Sequence, residues 1–320
     1  MRLITFTAEG GEDHVGALLD DNTVLDLTDS APQRTWSTSM LALVDAGPEA
    51  LAEAEGLVDT ARSSRSGMEV RPCAGLDMRA PIPRPLKNVF CVGLNFRSHV
   101  EQNALALGEE PQIPETPLFF SKPTTAVTGP GSPIHFDPRL TSKLDYEVEL
   151  ALVIGKSGTW IPVDEAGTHI FGYTILNDVS ARDLQWRSSQ FLYGKGQDTY
   201  APLGPVITTA DEMPPWDQVE SQLWVNDELR QRESLAHMIF DPEHVVAELS
   251  KGITLEPGDI VSLGTPGGCG YQMSPPVFLS EGDVVECRID GIGSLVNPVR
   301  AVVDASPGRD NKPRSEKEKM

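Results

Sequence analysis

The sequence predicts an α+β fold dominated by antiparallel or mixed sheet. Three observations carry that prediction. The last third, residues 260–299, holds four short strand-like runs, with Gly258-Asp259 and Gly282-Asp283 marking turns before two of them. Residues 143–155 read as one long strand whose second half is apolar on both faces. Helical patterns are few and do not alternate with strands as βαβ units would require.

Taken in order, residues 2–27 read as two or three short strands, with turns at Gly10-Gly11 and Asp20-Asp21-Asn22. Residues 40–61 are rich in Ala, Leu and Glu at helical spacing. Residues 68–85 are rich in Arg and Pro and read as a linker. They set a boundary near residue 80, between a small N-terminal α/β domain (1–80) and a larger domain (81–304). Residues 88–93 are a short buried strand. A helix follows to Leu107, with Ser98 as its N-cap. Residues 108–117 are polar, carry three prolines, and read as a mobile lid that orders on ligand binding. Residues 121–133 form a loop. A strand spans 171–177, helix covers 179–188, and a loop runs over 194–205. A strand at 220–226 turns at Asn226-Asp227, and a helix covers 242–251. Strands are expected at 260–263, 277–279, 284–289 and 294–299. The composition of 305–320 is that of a disordered tail.

Composition excludes several classes. With 26 Lys and Arg against 47 Asp and Glu, the net charge is −21, so neither nucleic acid nor an anionic membrane surface is an expected partner. No apolar run approaches the ~18–20 residues that span a bilayer, and the N-terminus lacks a signal-peptide layout. Cys73, Cys91, Cys269 and Cys287 are widely spaced and form no Cys-x-x-Cys pair. They read as reduced thiols of a cytoplasmic protein.

Asp145, Glu147 and Glu149 alternate with Leu144, Tyr146, Val148 and Leu150, so an extended chain puts the acids on one face. That is equally the pattern of a half-solvated strand. The apolar run 150–154 favours a buried one, where carboxylates need a cationic partner. A hard divalent cation suits their oxygens. Asp178 is a further acid, at the end of another strand. If the next residues are helical, Arg182 and Gln185 lie beneath it; the plainer role for Arg182 is an ion pair with Asp183 or Glu149. Lys195 sits among glycines that let the backbone approach a ligand. Of the six histidines, His99 is the best placed to act as a base near neutral pH.

These motifs together resemble a known family. The set is Gly93-Leu94-Asn95-Phe96-x-x-His99, Asp145-Tyr146-Glu147-x-Glu149, Asn177-Asp178-Val179-Ser180-Ala181-Arg182-Asp183, Gly194-Lys195-x-x-Asp198-Thr199, Pro202-Leu203-Gly204-Pro205 and Gly264-Thr265-Pro266-Gly267-Gly268. In order and spacing it resembles the fumarylacetoacetate hydrolase family over roughly residues 85 to 300. The N-terminal segment is similar to the small extra domain of the longer bacterial members. The resemblance implies a mixed β-sandwich roll, commonly a homodimer, with Glu147, Glu149 and Asp178 as metal ligands. The metal is usually Mg2+, with Mn2+ or Ca2+ as alternatives. It implies a small diketo acid substrate contacted by Arg182, Gln185 and Lys195, with Thr265 on a substrate-facing loop. His99, on a lid helix, would activate water.

One departure stands out. Many members place a glutamate three residues after the lid histidine, where this chain has Gln102; either Glu101, Glu109 or Glu110 replaces it when the lid closes, or His99 works unaided. The leading expectation is a Mg2+-dependent hydrolase that cleaves a C–C bond in a 2,4-diketo acid or acylpyruvate. The alternative is a decarboxylase or tautomerase of an oxaloacetate-like β-keto acid on the same metal site. A metal-loaded binding protein without activity is the third reading.

Overall fold

The fold is built around the strand Val148–Ile154, buried at every position. Val148, Leu150, Leu152 and Ile154 point into one apolar core, and Ala151 and Val153 into another. A strand with a core on each face has no solvated side, which is why its second half lacks a polar alternation. Glu149 shares the Ala151 and Val153 face. The structure is a computed structural model that describes residues 1–64 and 66–302. The expected tail at 305–320 lies outside the described residues.

Val148–Ile154 pairs antiparallel with Ile170–Asn177 on one side and with Ile260–Ser262 on the other. From there the sheet continues through Val89–Gly93 to Leu118–Lys122. In the other direction it runs through Ala201–Thr209 to Arg2–Thr7, Asp13–Leu18, Thr23–Asp26 and Val70–Pro72. The N-terminal strands thus extend the central sheet, joined to it at Leu3↔Ile207. A second sheet, ordered Glu228–Ser234, Glu220–Val225, Val284–Ile289, Gly293–Ala301 and Ile134–Phe136, packs over the first core through Leu223, Val285, Cys287, Ile289 and Leu295. The helices Met40–Asp45 and Gly47–Ser63 cover the other core. Ala50, Ala54, Val58 and Ala61 form the buried stripe of the longer one, at near-helical spacing. The architecture is mixed α+β, mostly sheet, as expected.

Several local expectations are corrected. Residues 179–188 are not one helix. Ser180–Ala181 pairs with Leu144–Asp145, and a single helical turn, Arg182–Gln185, follows. The long strand expected at 143–155 is interrupted at Tyr146 and Glu147 for the same reason, because Leu144–Asp145 belongs to that small ladder. The helix at 40–61 breaks at Gly47, whose φ of +76 a helix interior does not allow. The presumed linker contains Val70–Pro72 and Asp77–Met78, each hydrogen-bonded to an N-terminal strand. No strand forms at 277–279, where Val277 and Leu279 donate single bonds to Gly270 and Leu144. The loop at 194–205 is shorter than expected, since Ala201–Thr209 is a strand. Ser98 is not the N-cap of the helix Arg97–Leu107. Phe96 holds that position, and the Ser98 Oγ accepts a hydrogen bond from the Gly267 amide.

Candidate active site

Strand register gathers the carboxylates. Val148 lies opposite Asn177, and one step further Asp178 N donates to Glu147 O at 2.9 Å. The Asn177 side chain fixes the same corner by accepting from Glu147 N at 3.1 Å. Glu149 sits one turn of the pleat along, opposite Leu176. Carboxylate oxygens of Glu147, Glu149 and Asp178 lie within 4.8 Å of one another, and all three residues are buried.

Three cations meet this group. Lys195 Nζ bonds Glu147 Oε2 at 2.9 Å and Asp178 Oδ2 at 2.5 Å. Arg182 donates to Asp145 Oδ2 (2.9 Å), Glu147 Oε1 (2.7 Å) and Gln185 Oε1 (3.0 Å). Lys122, fully buried, bonds Asp178 Oδ1 and the Val179 carbonyl. Arg182 therefore pairs with neither Asp183 nor Glu149. Burial alone would push the Glu147 carboxyl up, but Lys195 and Arg182 outweigh it and hold it well below the usual carboxylate range. Burial would lower Lys195, yet Asp178 and Glu147 raise it above its ordinary value. For Lys122 burial wins and its pKa is lowered.

Glu149 differs. It accepts from Ser262 Oγ at 2.6 Å and Gly264 N at 3.1 Å, both neutral donors. Burial, then Asp178 and Glu147, push its pKa well above the ordinary value. Counted as ionised, Asp145, Glu147, Glu149 and Asp178 exceed Lys122, Arg182 and Lys195 by one negative charge. Three convergent buried carboxylates with surplus negative charge fit a hard divalent cation.

A cavity of about 220 Å3 opens beside this cluster. Its wall brings together His99, Glu147, Glu149, Arg182, Gln185, Lys195 and Thr265, all named from sequence. Gly194 permits the close packing that aims Lys195 inward: a Cβ there would lie 2.4 Å from Gln185 N. Thr265 Oγ1 accepts from Gln231 Nε2 at 2.9 Å, and Gln231 Oε1 in turn accepts from Val148 N. The loop bearing Thr265 is thereby tied to the central strand. Glu101 is exposed and faces a different depression, beside Arg97 and His237. Glu109 and Glu110 are exposed as well. Gln102 Oε1 accepts from the Gly268 amide at 2.7 Å, linking the helix Arg97–Leu107 to the Gly264–Gly268 loop.

Sequence reasoning missed three residues of the site and the role of a fourth. Lys122 ends an apolar-aromatic strand, and a lysine there was a usable signal. Asp145 shares the alternation of Glu147 and Glu149, but its work is to accept from Gly270 N, Tyr271 N and Arg182. Cys269 and Gln272 approach His99 Nδ1 at 3.8 and 3.2 Å. No local pattern announces either.

A family model described as "Fumarylacetoacetate (FAA) hydrolase C-terminal" matches residues 88–300. The chain belongs to the fumarylacetoacetate hydrolase family. Among curated members of the family, it is 40% identical over 291 residues to oxaloacetate tautomerase YisK of Bacillus subtilis (strain 168), spanning 89% of this chain and 95% of that one. Among solved structures, the fumarylacetoacetate hydrolase of Exiguobacterium antarcticum superposes with a TM-score of 0.79 at 36% identity, over 94% of this chain and 100% of that one. Maleylpyruvate hydrolase from Sphingobium sp. SYK-6, solved with a manganese(II) ion and pyruvate, gives 0.71 at 29% identity, over 94% and 99%. This chain is thus similar to tautomerases and hydrolases of one family of enzymes, and it carries three convergent buried carboxylates that could hold a divalent metal ion.

Proposed function

We propose that the protein is a divalent-metal-dependent keto–enol tautomerase of an oxaloacetate-like β-keto diacid. The carrying observation is the state of His99. It is buried against the cavity, no carboxylate among the described residues is hydrogen-bonded to its ring, and burial lowers its pKa from 6.5 to about 4. Hydrolysis needs a base that takes a proton from water and holds it, which calls for a stabilised imidazolium. Tautomerisation moves one proton between C3 and the C2 oxygen and consumes no water. The likeness to YisK, at 40% identity, supports the same reading.

Glu147, Glu149 and Asp178 would hold the metal, for which we propose Mg2+ with Mn2+ as alternative. When bound, it supplies Lewis acidity towards the oxygens of a chelating 2-keto acid. The remaining chemistry belongs to side chains. Lys195 stays cationic and contributes fixed positive charge where an enolate develops. Arg182, anchored by Asp145, Glu147 and Gln185, lines the cavity and keeps N–H donors beyond those three bonds for a substrate carboxylate. Gln185 is held by Arg182, and Thr265 lines the same cavity.

The test follows the ultraviolet absorbance of enol-oxaloacetate with Mg2+, with Mn2+ and with EDTA, while pyruvate release is assayed in parallel. Metal-dependent loss of the enol signal faster than pyruvate forms supports the proposal. No acceleration of enol decay, with pyruvate formed as fast as the enol is lost, would replace it by decarboxylation. A second reading, hydrolysis of an acylpyruvate, is supported by the likeness to maleylpyruvate hydrolase. Release of two acids from acetylpyruvate would favour it.

A further inference from the structure

Gln272 ends the short 3-10 helix Gly270–Gln272, whose N-cap is Cys269. Its Oε1 accepts from the Gly268 and Cys269 amides at 3.0 and 3.1 Å. Backbone N–H groups only donate, so these two bonds fix which end of the amide is oxygen. Nε2 must then face the lid helix, where it meets the Tyr271 hydroxyl at 3.1 Å, His99 Nδ1 at 3.2 Å and the His99 carbonyl at 3.3 Å. An amide NH2 also only donates. The Cys269 Sγ lies 3.8 Å from the same Nδ1 and 3.9 Å from Glu147 Oε1. The Gln272 amide thus presents a donor to Nδ1, and that bond forms when Nδ1 is the acceptor.

We infer that Gln272 is a positioning residue that holds His99 as the neutral Nε2–H tautomer, so that His99 gives a hydrogen bond to the substrate rather than taking a proton from water. The inference rests on the tautomerase reading for its consequence, but not for the tautomer itself. His99 lines the cavity and its Nδ1 is occupied, so Nε2 is the nitrogen left for a ligand. A neutral N–H donor at the C2 oxygen stabilises an enolate without storing a positive charge. Protonating Nδ1 would set a proton against the Gln272 amide hydrogen. Among the described residues the Pro266 carbonyl, which already accepts from Gln231 Nε2 at 2.9 Å, also hydrogen-bonds the His99 ring and competes for its N–H.

Gln272→Glu reverses the arrangement while keeping the shape. One carboxylate oxygen still serves the two backbone amides, and the other accepts a proton from Nδ1, which builds a histidine–carboxylate pair. Long-range 1H–15N spectra of histidine-labelled protein, with His99 assigned by loss of its signals in His99→Gln, read the tautomer directly. The expected results are Nε2–H in the unaltered protein and Nδ1–H or imidazolium in Gln272→Glu. With the shift, kcat for enol loss should fall about tenfold or more while KM changes little, the signature of an interaction made in the transition state. Slow acetylpyruvate hydrolysis should appear. An Nδ1–H ring in the unaltered protein, bonded to Pro266, would overturn the inference, as would an unchanged tautomer in Gln272→Glu. Should Gln272→Glu fail to fold, Gln272→Met, which removes the donor, must lose the Nε2–H preference or the inference falls. If the tautomer is as stated but enol-oxaloacetate is untouched, the proposed function fails and the role of Gln272 stands.

Discussion

Asp26 and Glu149 are both buried carboxylates, each in a cluster of three titratable side chains, yet their neighbours differ. Asp26 lies with His14 and Asp29. It accepts from His14 Nδ1 at 2.9 Å, Arg71 Nε at 2.8 Å and the Asp29 amide at 3.0 Å, capping the short helix Leu27–Ser30. Asp29 is partly exposed and bonds the same arginine. The Asp26 carboxylate is thus matched by donors, one of them a full positive charge. Glu149 lies with Glu147 and Asp178 and receives only neutral donors, while like charges flank it. The difference teaches that titratable side chains in proximity are not enough for a cation site. Burial with too little countercharge is the feature that a doubly charged ion could relieve.

The comparison can be broken by exchanging roles. The largest expected effect is at Glu149. Glu149→Gln keeps the volume and should weaken Mn2+ affinity, read by isothermal calorimetry, by more than about a hundredfold, with turnover falling alongside. Unchanged affinity would remove Glu149 from the metal site. Asp26→Ala should do the opposite. Metal affinity and turnover stay within about twofold, while stability in urea falls by about 3 kcal/mol, the scale for breaking a buried pair and a helix cap together.

A smaller effect is pH-dependent. Folding depresses the His99 pKa from 6.5 to about 4, so the unfolded chain takes up the proton first. The stability this contributes is complete above about pH 6.5 and is lost as pH falls towards 4. Urea midpoints measured at pH 7 and pH 5 should therefore drop further for the unaltered protein than for His99→Gln, in which that proton is missing. Equal drops would mean the ring is not held neutral. The smallest effect is expected at Glu101, which is exposed and faces away from the cavity. Glu101→Ala should change kcat less than about twofold. A hundredfold loss would mean that the helix Arg97–Leu107 turns on ligand binding.

Much of this site was legible in the chain. Alternation placed Glu149 on a strand, which the structure keeps with Glu147 just before its start, and the apolar run to Ile154 marked that strand as central. The spacing of Arg182 and Gln185 survived although the expected helix shrank to one turn, because a single turn is enough to put residues three apart on one side. The partner of His99 was not legible. Sequence pointed to acids near it on the same helix, whereas Gln272 arrives from a loop 173 residues away.

The sequence by itself determined which side chains could bear charge and which strand had to be buried, since alternation and apolar runs act within a few residues. Only tertiary structure decided that Asp178 meets Glu147, that Lys122 joins them from the far edge of the sheet, and that an amide rather than a carboxylate addresses His99. Those choices are made by strand register and loop packing. They follow from the summed fit of both cores and leave no signature at any single position.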